Sequence, residues 1–169
     1  MSPDTSSSEP VSLDELAERL VQRLRERSWT IATGESLTAG LVSSTIVSVP
    51  GCSAVFRGAV VAYAPEVKTD VLNVPGELLR QGIVTEEVAR ALAEGARSRL
   101  GATVGIGTTG AAGPDDHDGM PAGTACIAVS TPWGERARTL RATGDRLQVR
   151  HAVTQAAMEA ALEILEDGE

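Results

Sequence analysis

The sequence predicts an α/β protein: a three-layer α/β/α sandwich around a mixed, mostly parallel sheet. Three observations carry this expectation. Helical and strand patterns alternate through the first two thirds of the chain, as parallel sheets with crossover helices require. Two strand patterns flanking Pro132-Trp133-Gly134 then form a late hairpin, which adds antiparallel pairing. The 169 residues, 42% hydrophobic and evenly dispersed, suit one domain with a substantial core.

The elements follow in order. Met1 to Pro10 is polar and rich in Ser and Pro, and is expected to be a disordered lead; residues 11–167 are expected to form the single domain. Ser12-Leu13-Asp14-Glu15 is a capping box opening a helix from Leu13 to about Arg27, with Leu13, Leu16, Leu20, Val21 and Leu24 on one face. Thr30 to Thr33 reads as a strand. A helix rich in β-branched residues is expected from near Thr38 to just before Pro50-Gly51. Phe56 to Tyr63 reads as a buried strand. Pro65 suits the first turn of a helix carrying Glu66, Lys68, Val71 and Leu72, and a short helical turn covers Pro75 to Arg80. Thr85-Glu86-Glu87 opens an amphipathic helix that Gly101 ends. Thr103 to Gly107 is a buried strand, Thr124 to Thr131 and Glu135 to Ala142 are the hairpin, and Asp145 caps a last helix.

Composition excludes several classes of function. The net charge of −8 and an aromatic content of 2% argue against nucleic acid, which calls for a basic stripe and stacking platforms. No apolar run approaches the roughly 18 residues that span a bilayer, and the N-terminus lacks the charged and apolar regions of a signal peptide. A cytoplasmic location is the resulting expectation. Cys52 and Cys126 do not make a disulfide framework, and Cys126 reads as a small core residue. Asp115-Asp116-His117-Asp118 matches no zinc or EF-hand spacing and reads as a solvated acidic loop, so no metal is expected.

Three polar turns interrupt the Ala/Val/Leu-rich background. The first, Thr33-Gly34-Glu35-Ser36-Leu37-Thr38-Ala39-Gly40, follows a strand and precedes a helix. It puts a serine where unpaired backbone N–H groups collect, and these can hold an anion or an oxyanion. Ser36 is a nucleophile candidate; alternatively Ser36 or Thr38 is simply a helix cap. The only histidines, His117 and His151, lack Asp partners by spacing, so a Ser-His-Asp triad is disfavoured. A lysine held neutral by its surroundings is the other kind of base, and Lys68 stands out in a chain whose basic charge is nearly all arginine. The competing reading of Lys68 is a solvated helix residue. Tyr63, the single tyrosine, is placed to orient a proton transfer or to sit in water at a strand end. The third turn, Gly107 to Pro114, is neither a P-loop nor a dinucleotide fingerprint, yet can form an N–H nest. Arg146 and Arg150, one helical turn apart, either add a guanidinium to an anionic group or are ordinary surface charge.

The motifs Gly34-Glu35-Ser36-Leu37-Thr38-Ala39-Gly40, Tyr63 with Lys68, Thr109-Gly110-Ala111-Ala112-Gly113-Pro114, Pro121-Ala122-Gly123-Thr124 and Gly144-Asp145-Arg146 occur in that order. Together they resemble the CinA C-terminal domain family, the nicotinamide-nucleotide amidohydrolases (NMN deamidase, PncC), in their stand-alone form. The resemblance runs from about Leu13 to about Leu165. It implies hydrolysis of nicotinamide mononucleotide to nicotinate mononucleotide and ammonia, in pyridine nucleotide recycling, without metal or cofactor, by a homodimer. By resemblance Ser36 is the nucleophile, with Tyr63 and Lys68 as its partners. Glu35, Thr38, Ala39, Gly40, Thr109, Gly110, Gly113, Arg146 and Arg150 are then expected to bind substrate. Gly34, Ala111 and Met120 depart from the residues common in the family, and the last two touch the presumed ligand loop. The alternative function is a catalytically silent nucleotide- or phosphosugar-binding regulatory module related to competence/damage-inducible CinA.

Overall fold

The computed structural model describes residues 11–167, so the expected disordered lead lies outside the described residues. The elements are α1 (Leu13–Glu26), β1 (Ile31–Glu35), α2 (Leu41–Val47), a short 3-10 turn (Cys52–Ala54), β2 (Phe56–Val61), α3 (Pro65–Leu72), α4 (Gly76–Gln81), α5 (Glu86–Arg99), β3 (Val104–Gly110), β4 (Thr124–Thr131), β5 (Gly134–Arg141) and α6 (Arg146–Asp167). The sheet order is β2-β1-β3-β4-β5. β1 pairs parallel with β2 and β3, while β3–β4 and β4–β5 are antiparallel. Only β4 therefore runs against the other four strands, and the α/β/α architecture with a mixed, largely parallel sheet is as expected.

Strand alternation sorts side chains by size. Ile31, Val104, Ile106, Ile127 and Val129 face α1, α2 and α6 in the larger core. Ala32, Cys126 and Ala128 face α5, and so do Gly105 and Gly107 of β3. A Cβ at Gly105 would lie 2.0 Å from Ala93 O, and one at Gly107 2.1 Å from Ala89 O. The small side lets α5 lie directly on β3. This contact fixes the height at which β3 ends and the turn after it begins.

Four boundaries differ from expectation. The helix expected from Thr38 begins at Leu41, behind an N-cap glycine, Gly40, at φ 94°. β1 continues through Glu35, and β3 through Gly110, so half of the glycine-rich turn is strand. β2 stops at Val61; it is an edge strand with alternating burial, and Tyr63 lies beyond it, 61% exposed rather than ending a buried strand. The α1 capping box is present: Ser12 and Glu15 each accept from the other's backbone N–H. Asp145 and Gln148 make the same reciprocal pair at α6.

Candidate functional site

β1, β2 and β3 run parallel, so their carboxyl ends share one edge of the sheet. Each is followed by one polar turn: Ser36–Gly40, Tyr63–Pro65 and Ala111–Pro114. This edge is where open α/β sheets bind ligands. A cavity of about 460 Å³ lies there, lined by Ser36, Tyr63, Lys68, Thr109, Gly110, Gly113 and Arg146 among others. Seven of the residues expected from sequence are thus brought together. Glu35, Thr38, Ala39, Gly40 and Arg150 do not line it. The loop read as merely solvated contributes Asp115, Asp116 and His117 to the wall. Sequence offered no periodicity to place that loop; its position follows from the β3–β4 connection.

The serine turn is built around Glu35. Its side chain is fully buried. Oε1 accepts from Thr33 Oγ1 at 3.0 Å and Ser43 N at 2.8 Å. Oε2 accepts from Thr38 Oγ1 at 2.7 Å, Gly40 N at 2.9 Å and Val42 N at 3.1 Å. The anion at the N-terminus of α2 is therefore the chain's own carboxylate. Those α2 N–H groups are thus engaged within the chain, and Glu35, expected to bind substrate, is buried with its carboxylate inside the turn. The Thr38 hydroxyl is likewise committed, to Glu35 and to Thr108 Oγ1 at 2.8 Å.

With Glu35 inside, Ser36 N bonds Thr108 O at 3.1 Å and Ala39 N bonds Ser36 O at 3.0 Å. Ala39 adopts φ 48°, the left-handed region, which non-glycine residues enter at a cost. Among the described residues, the N–H groups of Leu37 and Thr38 have no hydrogen-bond acceptor. They are the donors left over beside Ser36, a residue that is 7% exposed and lines the cavity.

Lys68 is 1% exposed, so the solvated reading fails. Its Nζ donates to Ala62 O and to Tyr63 O, both at 2.7 Å. Burial pulls its pKa down from 10.5 to about 8. Two of the three Nζ positions are used by carbonyls. The third carries a proton in the ammonium form and a lone pair in the amine form. A buried amine with one unengaged lone pair can accept a proton.

Arg146 spans the cavity mouth: Nη1 donates to Gly113 O at 2.7 Å and Nη2 to the Tyr63 phenol oxygen at 3.1 Å. Arg150 points elsewhere. Its Nε donates to Leu37 O and its Nη2 to Thr38 O, both at 2.9 Å. Among the described residues no group of three or more His, Cys, Asp or Glu side chains is arranged to hold a metal ion, and no helix is long and apolar enough to cross a membrane. Cys126 is a buried residue of β4, where burial raises its thiol pKa.

Residues 13–165 match the family model described as the CinA C-terminal domain. A CinA-like protein of Frankia casuarinae is 47% identical over 135 residues, which are 79% of this chain and 31% of that protein. A CinA-like protein of Anaeromyxobacter is 50% identical over 149 residues, 87% of this chain and 36% of its own length. The chain thus spans about a third of these relatives. Among solved structures, a CinA superfamily protein of Klebsiella pneumoniae superposes with a TM-score of 0.89 at 30% identity, covering 93% of this chain and 99% of that one. An Agrobacterium tumefaciens competence/damage inducible protein does so with a TM-score of 0.86 at 30% identity, covering 93% and 97%. With a buried serine and a buried lysine on one cavity at the carboxyl edge of this sheet, and a family match over nearly all the described residues, the chain belongs to the CinA C-terminal domain family.

Proposed function

We propose that the protein is a serine amidohydrolase that removes ammonia from the carboxamide of a pyridine mononucleotide, with nicotinamide mononucleotide as its substrate. The observation that carries this reading is Lys68: a fully buried amine, held by two carbonyls, on the same cavity as Ser36. A serine lacking a histidine needs such a base, and a lysine drawn toward the neutral amine by burial supplies one.

In the reaction neutral Lys68 takes the Ser36 proton as Oγ attacks the amide carbon. The tetrahedral oxyanion is held by the N–H groups of Leu37 and Thr38. Lys68 returns the proton to the amide nitrogen, the C–N bond breaks and ammonia leaves. Water then attacks the acyl-enzyme with Lys68 again as base, releasing the carboxylate and restoring Ser36. Arg146 and the Ala112–Gly113 backbone offer positive charge and donors to the phosphate and ribose, while Asp115 and Asp116 on the same wall suit the pyridinium charge.

A second reading is favoured by what relatives are called: one of Desulforamulus reducens, 40% identical over 155 residues, is described as competence-damage inducible. On that reading the cavity binds a nucleotide or phosphosugar without turnover and the protein is regulatory. Incubation with nicotinamide mononucleotide in the presence of EDTA, with ammonia release followed, separates the two. Release by wild type and none by Ser36→Ala is expected. Equilibrium binding without release assigns the regulatory role.

A further inference from the structure

Spacing alone makes Arg150 a twin of Arg146, ready for the same anion. Their contacts separate them. Arg146 lies on the cavity; Arg150 does not line it and spends two nitrogens on consecutive carbonyls of the serine turn. The Thr38 carbonyl already accepts from Leu41 N at 3.0 Å, so Arg150 adds a second, charged donor to it. The Leu37 carbonyl has Arg150 as its partner.

A trans peptide directs its C=O and N–H in opposite senses. Fixing the Leu37 carbonyl on Arg150 therefore fixes where the Thr38 N–H points, away from the guanidinium. Fixing the Thr38 carbonyl likewise sets the Ala39 N–H, which turns back to Ser36 O. A positive donor on a peptide oxygen also draws electron density from its nitrogen and strengthens the N–H as a donor. Glu35 holds the turn from the α2 side and Arg150 holds it from α6. Between them Leu37 N–H and Thr38 N–H are left without acceptors among the described residues.

Building on the serine reading above, we infer that Arg150 is a positioning residue, which aims and polarises the Leu37–Thr38 peptide so that its N–H serves the oxyanion formed at Ser36. It is not a ligand of the substrate's phosphate. Lysine cannot replace it fully, because one ammonium lacks the planar fork that reaches two adjacent carbonyls in fixed directions.

The test compares wild type, Arg150→Lys and Arg150→Ala in two assays. The first is the rate at which a fluorophosphonate labels Ser36, followed by intact-mass spectrometry, which needs no knowledge of the substrate. The second is kcat and KM for nicotinamide mononucleotide and for its dephosphorylated nucleoside. Arg150→Ala is expected to slow labelling and kcat by about a hundredfold, the usual cost of one oxyanion donor. Arg150→Lys is expected to fall between it and wild type, with KM nearly unchanged and the same proportional loss on both substrates. If Arg150→Ala does not fold, the Lys variant carries the test. Variants that label at the wild-type rate, or a loss seen only as a raised KM for the phosphorylated substrate, overturn the inference while leaving the amidohydrolase standing. A wild type that neither labels nor releases ammonia overturns the serine reading itself, and this inference with it.

Discussion

Lys68 is tied to Tyr63 through the backbone and not through the phenol: Nζ donates to the Tyr63 carbonyl, while Tyr63 as a residue is 61% exposed and its phenol oxygen accepts from Arg146. The base and the tyrosine hydroxyl are thereby held on separate supports. Rate should rise with pH through a midpoint near 8, because the reactive form is the amine and burial sets its pKa at about 8. Lys68→Arg, which stays charged at every accessible pH, should lose about 10²- to 10⁴-fold. Tyr63→Phe should leave the midpoint where it is, since the carbonyl remains. Stability shares the signature with a fixed sign. Between about 8 and 10.5 the unfolded chain holds the Lys68 proton and the folded one does not, so stability should climb with pH across that window. Urea unfolding at pH 8 and pH 10 should show this rise in wild type and not in Lys68→Met.

The Glu35 carboxylate carries five hydrogen bonds in a site with no exposed surface. Glu35→Gln turns one acceptor oxygen into a donor that faces N–H and O–H groups. The expected cost is about 3 kcal/mol. For a domain of this size that is a fall in melting temperature of roughly 6–12 °C. Ser36 labelling should slow as well, because the same carboxylate shapes its turn. An unchanged melting temperature would show that another group caps α2.

That carboxylate also explains what the sequence hid. Periodicity, capping boxes and turn residues located every helix and strand, and the order of polar turns located Ser36, Lys68 and the glycine-rich segment on one cavity. The start of α2 was misplaced because its capping side chain comes from β1, five residues before the N-cap glycine, whereas local capping rules look at the cap position itself. Tyr63 was misjudged because an apolar run does not reveal that β2 is an edge strand that ends at Val61. Arg146 and Arg150 share a helix face in sequence. Only the packing of α6 against the serine turn shows that one meets the cavity and the other meets carbonyls.

The contact of α5 with β3 should tolerate no added atom. A Cβ at Gly107 would fall 2.1 Å from Ala89 O and 2.6 Å from Ala93 N, both backbone atoms that a rotamer change cannot move. Gly107→Ala should cost about 2–3 kcal/mol through overpacking. Gly134→Ala, at the hairpin with nothing within 4 Å, should stay within about 0.5 kcal/mol of wild type. Urea midpoints at an unchanged slope measure both. Equal midpoints for the two variants would mean that α5 sits farther from the sheet than these distances say.

Arg146 should behave in the opposite way to Arg150. Its guanidinium joins Gly113 O to the Tyr63 hydroxyl, and among the described residues it makes no hydrogen bond to the Ser36 turn. A phosphate entering the cavity offers those same N–H groups a charged acceptor, a stronger partner than a carbonyl or a phenol. Arg146→Ala should therefore raise KM for nicotinamide mononucleotide, by roughly tenfold to a hundredfold for one lost charge-assisted contact of about 1.5–3 kcal/mol. Because the phosphate is remote from the amide, kcat should change less than KM. The nucleoside lacking that phosphate should be turned over by Arg146→Ala about as well as by wild type. A kcat loss shared by both substrates would instead place Arg146 with the groups that act on the reacting carbonyl, and would leave the phosphate to the backbone N–H groups of the Ala112–Gly113 turn.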